Sequence, residues 1–342
     1  MNTFSRREIF PLVGVALLGT SCLSAHQAEP SEIKMILPGS IGPGDTVGIC
    51  ATAGGIRSDS EVEEFTQKLR SFGFAPKEGK TVRGRYGYFS ASDKERAEEF
   101  MEMIRDEEVK AIFFIRGGWG CARVLEYLDF DVIKAHPKII MGFSDISTLL
   151  NAITIKTGMI TFHGPNGNAS WNGRTKTWME QLFFRAEKPT FANSSEDDRI
   201  RTINKGTAEG ELFGGNLSVV SSLVGTANLP DWEGKILFLE DVKEEPYRID
   251  RMLTQLSLNG IFDKVSGIVL GRFRDCIAEE KDRSFTVDQV FDQHFHGIGK
   301  PVFSGAQFGH VVEKFVLPVG AKVRMNADNG TLELLHPVVS QK

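Results

Sequence analysis

A serine stands at position 144, where the apolar run Lys138-Ile139-Ile140-Met141 gives way through Gly142-Phe143 to Ile146, Leu149, Leu150 and Ile153 at helical spacing. A serine at such a strand-to-helix turn can be an activated nucleophile, its successor's N–H aimed where an oxyanion would develop. The stretch lacks the second glycine of a G-x-S-x-G elbow, and a serine there often only caps a helix. A second turn, Ile115-Arg116-Gly117-Gly118-Trp119-Gly120, follows another apolar run. Its glycines would let main-chain N–H groups approach a ligand, although a plain tight turn fits them equally. It matches neither a dinucleotide fingerprint nor a P-loop.

Glu240 and Asp241 end the apolar run "ILFLEDV". A carboxylate emerging from a buried strand needs a partner, and Arg248 or Arg251 nearby would make it a structural ion pair. His310 follows Phe308-Gly309 in a loop-like context, where a single histidine is more often structural than catalytic. His163 in "TFHGPN" lies at another strand end and is a second candidate base. His294 and His296 offer two metal ligands without a third.

The elements that must position these residues read as alternating strands and helices. "TVGICATA" is a first strand, and "DSEVEEFTQKLRSFGF" a helix with Val62, Phe65 and Leu69 on one side. "SDKERAEEFMEMIRDEEV" is a second helix opening at Ser92-Asp93, followed by the apolar strand "KAIFFI" and the helical "ARVLEYL". Continuous apolar runs, rather than in-out alternation, predict a parallel sheet covered on both faces, hence an α/β fold. After Asn168 the pattern changes, and the polar, charge-rich stretch 169–205 is the expected domain boundary. Beyond it, the strand-like "AEGELFG", "KILFLE", "GIVLGRF" and "KVRMN" alternate with helical "NLSVVSSLVG" and "PYRIDRMLTQLSLNG", a second, mixed α/β half.

The chain of 342 residues, 41% hydrophobic and 25% charged, is long enough for two domains. A formal charge of -5 without a basic stripe argues against nucleic acid as a partner. Residues 1–28 have the layout of an export signal: Arg6 and Arg7, an apolar run from Ile9 to Leu18, then small residues. The paired arginines resemble a twin-arginine signal, and Cys22 is a candidate for lipid modification. Residues 29–42 are expected to be a tether, with the body starting at Pro43-Gly44-Asp45. The other cysteines, Cys50, Cys121 and Cys276, have no C-x-x-C or zinc spacing.

In order, "RGGWG", "LDFDVIKAHPKIIMGFSDISTL", "TFHGP", "EGELFGGNLSVVSSLVGT", "ILFLEDVKEEPYRIDRMLTQL", "GIVLGRF", "GAQFGH" and "LPVGAKV" resemble the serine LD-carboxypeptidases, the muramoyl-tetrapeptide carboxypeptidase family, over about residues 43 to 325. The resemblance implies a Rossmann-like N-terminal sheet domain at 43–168, a linker at 169–205, and a barrel-like C-terminal domain at 206–342 with the site in the cleft between them. It implies Ser144 as nucleophile, His310 as base and Glu240 as the group that orients it. Gly117 or Gly118 with Asp145 would form the oxyanion hole; Arg116, Trp119, Asn216 and Arg251 are the candidate substrate contacts. The implied reaction is acyl-enzyme hydrolysis releasing the terminal D-alanine of a murein tetrapeptide, without metal or cofactor, in a protein that is often a homodimer. The chain departs from the family in "CATAGG" at the end of the first strand, in Trp119 where tyrosine is more frequent, and in its export signal. That signal would place it in the periplasm, or on a membrane through Cys22. A microcin-immunity-type hydrolase of peptidyl nucleotides and a non-catalytic cell-wall peptide binder are the alternative functions.

Overall fold

The computed structural model describes residues 35–341 except Asn172, Ser195, Glu196 and Asp198. The expected export signal, with Arg6, Arg7 and Cys22, and the tether up to residue 34 lie outside the described residues.

The first half builds a parallel sheet from Thr46–Cys50 (β1), Ala75–Glu78 (β2), Val109–Phe114 (β3), Ile139–Gly142 (β4) and Thr161–His163 (β5). All pairings among these strands are parallel, in the order β5-β4-β3-β1-β2. Every residue of β4 and all but Lys110 of β3 are buried, as a sheet covered on both faces requires. The helix Ser60–Ser71 lays Val62, Phe65 and Leu69 onto it. The helix Asp93–Arg105 opens with a capping box between Ser92 and Glu95 that contributes about 1 kcal/mol.

The second sheet is formed by Thr190–Phe191 (β6), Arg201–Asn204 (β7), Thr207–Asn216 (β8), Ile236–Val242 (β9), Gly267–Arg274 (β10) and Val302–Ser304 (β11). Leu317–Val319 (β12) leaves it to pair with β5 of the first sheet, and Lys322–Asn326 (β13) and Thr331–Leu334 (β14) return. Its order is β6-β14-β13-β8-β9-β10-β11-β7, curled into a half barrel. β8 is the pivot: Thr207 to Glu211 pair antiparallel with β13, and Leu212 to Asn216 pair parallel with β9.

Two expectations about organisation need correction. Residues 36–41 belong to the body rather than to a tether: Ile36 bridges Met159, the Ser340 N–H donates to the Pro38 carbonyl, and Ile41 is buried. The described part of 169–205 is likewise structural. It holds the helix Gly173–Met179 and its π-helical continuation Glu180–Phe184, with Trp178, Met179, Leu182 and Phe183 in the core, as well as β6 and β7. With β12 inserted into the first sheet, the chain does not divide cleanly at that stretch.

Candidate active site

β4 delivers Phe143 in an extended conformation (φ −149°, ψ −176°), and Ser144 then turns into the left-handed region at φ 65°. A non-glycine residue there costs about 1–3 kcal/mol and persists only where its surroundings impose it. Asn166 imposes it here, accepting from the Phe143 N–H at 3.1 Å and donating to the Phe143 carbonyl at 3.2 Å. On the other side, the buried Asp145 carboxylate accepts from the Cys121 N–H at 2.7 Å. The helix Ser147–Thr157 follows with Ile146 at its N-cap, and among the described residues the Ser144 hydroxyl has no hydrogen-bond partner. The turn therefore presents a hydroxyl instead of using it as a cap.

The glycine loop after β3 runs against this hydroxyl. A Cβ on Gly117 would lie 3.0 Å from Ser144 Oγ and 2.8 Å from its Cβ, so only glycine fits. Gly118 has φ 116°, and the Gly117 carbonyl is taken by the Gly54 N–H at 3.1 Å. Among the described residues, the Gly117 and Gly118 N–H groups have no backbone acceptor, which leaves them available to an oxyanion beside the serine.

From the second sheet, β9 carries Glu240 two residues before its end, with no exposed surface. Its Oε2 accepts from His310 Nδ1 at 2.7 Å and from the His310 N–H at 3.2 Å, while Oε1 accepts from Asn216 Nδ2 at 3.3 Å. The ion pair anticipated with Arg248 or Arg251 does not form; Arg248 instead approaches Glu244 at 3.9 Å. Burial pushes the Glu240 carboxyl up, but the His310 bond and charge, helped by His163 and Asn216, hold it below the usual carboxylate range. Because Nδ1 donates to this carboxylate, Nε2 of His310 carries the free lone pair. The His310 ring packs edge-on against Phe143, 4.9 Å between centroids, which brings it beside the Ser144 turn. A hydroxyl, an imidazole and an ionised buried carboxylate arranged in this way can support nucleophilic acyl transfer.

The remaining predicted residues scatter. Arg116 and Trp119 line a cleft of about 550 Å³ together with Gly118, Arg57, Arg85 and Tyr88. Arg251 is exposed on the helix Pro246–Leu258, 5.9 Å from the Tyr247 ring, and lines neither this cleft nor the one beside His310. Asn216, expected to contact substrate, is engaged within the protein. It is buried, and its amide bridges Glu240 to Asp241 (3.0 Å) while its oxygen caps the helix Leu217–Ser222. His163 is sealed among Phe143, Phe238 and Phe308, and burial pulls it down to about 4. His294 is bonded to Asp250 at 2.7 Å, and the described residues hold no cluster of three or more metal-ligating side chains.

Sequence reasoning missed a cleft of about 1000 Å³ that opens beside His310, lined by Arg272, Phe273, Arg274 and Gln307 among others. Arg274 Nη1 donates to the His310 carbonyl at 3.4 Å. The "GRFR" end of β10 was the available signal. It also missed Lys314, four residues after the histidine, whose ammonium lies over the Phe143 ring at 4.1 Å.

This fold and site are those of a serine-type hydrolase. Residues 47–164 match the LD-carboxypeptidase N-terminal domain and residues 209–325 its C-terminal domain, so the chain belongs to the LD-carboxypeptidase family. A Bacillus subtilis relative named "Probable murein peptide carboxypeptidase" is 38% identical over 299 residues, 86% of this chain and 92% of the relative. The muramoyltetrapeptide carboxypeptidase from Oxalobacter formigenes is similar in structure, with a TM-score of 0.72 at 28% identity, covering 84% of this chain and 97% of that one. The Escherichia coli microcin C7 self-immunity protein MccF, solved with glutamyl sulfamoyl guanosine, superposes with a TM-score of 0.80 at 26% identity, covering 89% of this chain and 99% of that one.

Proposed function

We propose that this protein is an exported LD-carboxypeptidase that releases the terminal D-alanine of murein tetrapeptide, using Ser144, His310 and Glu240. The observation that carries the reading is the Glu240–His310 pair set against Phe143, the residue that presents the strained Ser144. Ser144 Oγ attacks the carbonyl carbon of the L,D-bond and passes its proton to His310 Nε2. Glu240 stabilises the imidazolium that results. The N–H groups of Gly117 or Gly118 and of Asp145 receive the oxyanion. Collapse of this intermediate breaks the C–N bond, D-alanine leaves with the proton from His310, and an acyl-enzyme remains. Water, deprotonated by His310, then frees the shortened peptide and restores the serine. The names of the murein-peptide relatives support this substrate, and residues 1–28 support export to the periplasm or, through Cys22, to a membrane surface.

D-alanine release from purified tetrapeptide, followed by mass spectrometry, tests the reading. Release by the wild type and none by Ser144→Ala is the expected result. Equal release by both would remove Ser144 from the mechanism. The likeness to MccF supports a second reading, hydrolysis of an aminoacyl-nucleotide amide. A folded wild type that cleaves a glutamyl sulfamoyl nucleoside but not tetrapeptide would favour it.

A further inference from the structure

Phe143 meets two groups from one loop. The His310 ring lies against it, and the Lys314 ammonium sits 4.1 Å from its centroid. Lys314 is only 3% exposed, yet its ammonium has no hydrogen-bond or ion-pair partner among the described residues. Its backbone is locked: Thr175 Oγ1 accepts from the Lys314 N–H at 2.8 Å and donates to its carbonyl at 3.2 Å.

A buried ammonium whose near partner is a ring face is under-compensated. A cation–π contact returns less than desolvating the charge costs. The acids nearby are committed elsewhere. Glu240 is held by His310 and Asn216, and Glu313 accepts from the Arg174 N–H at 3.3 Å. Burial lowers Lys314 to about 8, Glu240 opposes this, and Arg274 and Lys68 add to it. It still carries its charge near neutrality. The site therefore holds a cation beside the nucleophile turn that lacks an anion.

The hydrolytic reading above, on which this inference rests, supplies that anion. In a carboxypeptidase substrate the terminal carboxylate carbon is three bonds beyond the scissile carbonyl carbon, so it must sit within roughly 4 Å of it. We propose that Lys314 is the specificity-determining residue that receives the carboxylate of the departing D-residue. This contact makes the enzyme select chain ends over internal bonds.

The test compares tetrapeptide ending in D-alanine with the same peptide ending in D-alaninamide, for wild type, Lys314→Met and Lys314→Arg. The wild type should prefer the free acid by about 10- to 100-fold in kcat/KM, the scale of a charge-assisted contact. Lys314→Met should lose that preference while cleaving the amide within about 3-fold of wild type, and Lys314→Arg should recover part of it. Cleavage of the amide by Lys314→Met serves as the control for folding. Equal loss on both substrates in Lys314→Met and in Lys314→Arg would overturn the proposal and leave Lys314 a support for Phe143 and Glu240. A wild type that cleaves both peptides equally would overturn it too, whereas a wild type that cleaves neither would instead sink the hydrolytic reading itself.

Discussion

His310 Nδ1 lies 2.7 Å from Oε2 of Glu240, across 70 residues of sequence, and the carboxylate behind that bond has no exposed surface. A buried carboxylate with one strong donor fixes both the tautomer and the plane of the imidazole.

If these residues form one catalytic unit, Ser144→Ala and His310→Ala should each lower turnover by about 3 to 6 orders of magnitude, and the double variant should be scarcely worse than either. Single-turnover D-alanine release measures this. Additive losses would show that the two act separately.

Glu240→Gln should hurt less, by about 2 to 4 orders of magnitude, because a neutral amide still fills the site but no longer stabilises the imidazolium. Leaving the Asn216 amide and His310 opposite another amide should also cost about 1–3 kcal/mol in denaturant unfolding. A variant with wild-type turnover would exclude Glu240 as the orienting group.

Gly117→Ala places a methyl 3.0 Å from Ser144 Oγ, against the hydroxyl it would have to clear. Turnover should fall by about 100-fold or more through displacement of the serine and of the adjacent N–H donors. Circular dichroism should be unchanged, since the loop lies at the end of β3 and not within it.

The strain at Ser144 predicts a difference between two inactive variants. Ser144→Gly can adopt φ 65° freely and Ser144→Ala cannot, so the glycine variant should be the more stable by about 1 kcal/mol in urea. Equal midpoints would mean that the turn is not strained.

His163 gives a pH dependence whose sign is fixed by its burial. Its folded-state value is depressed to about 4 from an ordinary 6.5. Between those values the unfolded chain binds the proton and the folded chain does not. The stabilisation is therefore fully present above about pH 6.5 and is lost as pH falls toward 4, by roughly 3 kcal/mol in all. His163→Phe, which has nothing to protonate, should flatten that part of the stability profile in denaturant titrations at pH 7, 5.5 and 4.5.

By itself, the sequence determined a good deal about this protein. The near-continuous apolar runs of β3 and β4, broken only by Lys110, specified a buried parallel sheet, because strands covered on both faces have no polar side to alternate with. Gly142 to Ile146 marked the change from strand to helix, and so the turn at Ser144, since that change of period is local. The ordered segments from "RGGWG" to "LPVGAKV" carried the family. What they could not carry is which distant side chains meet. Arg248 and Arg251 are Glu240's neighbours in sequence, yet its partner is His310, because the end of β9 faces the loop after β11 and not the helix that follows it. Asn216 meets Glu240 for the same reason: the parallel pairing of β8 with β9 sets it level with that residue. The return of β12 to the first sheet, the closure of Phe143 over His163, and the stranded charge of Lys314 all depend on sheet order and on burial from several elements at once. Local pattern records which residues go inside; only the packed structure decides what they find there.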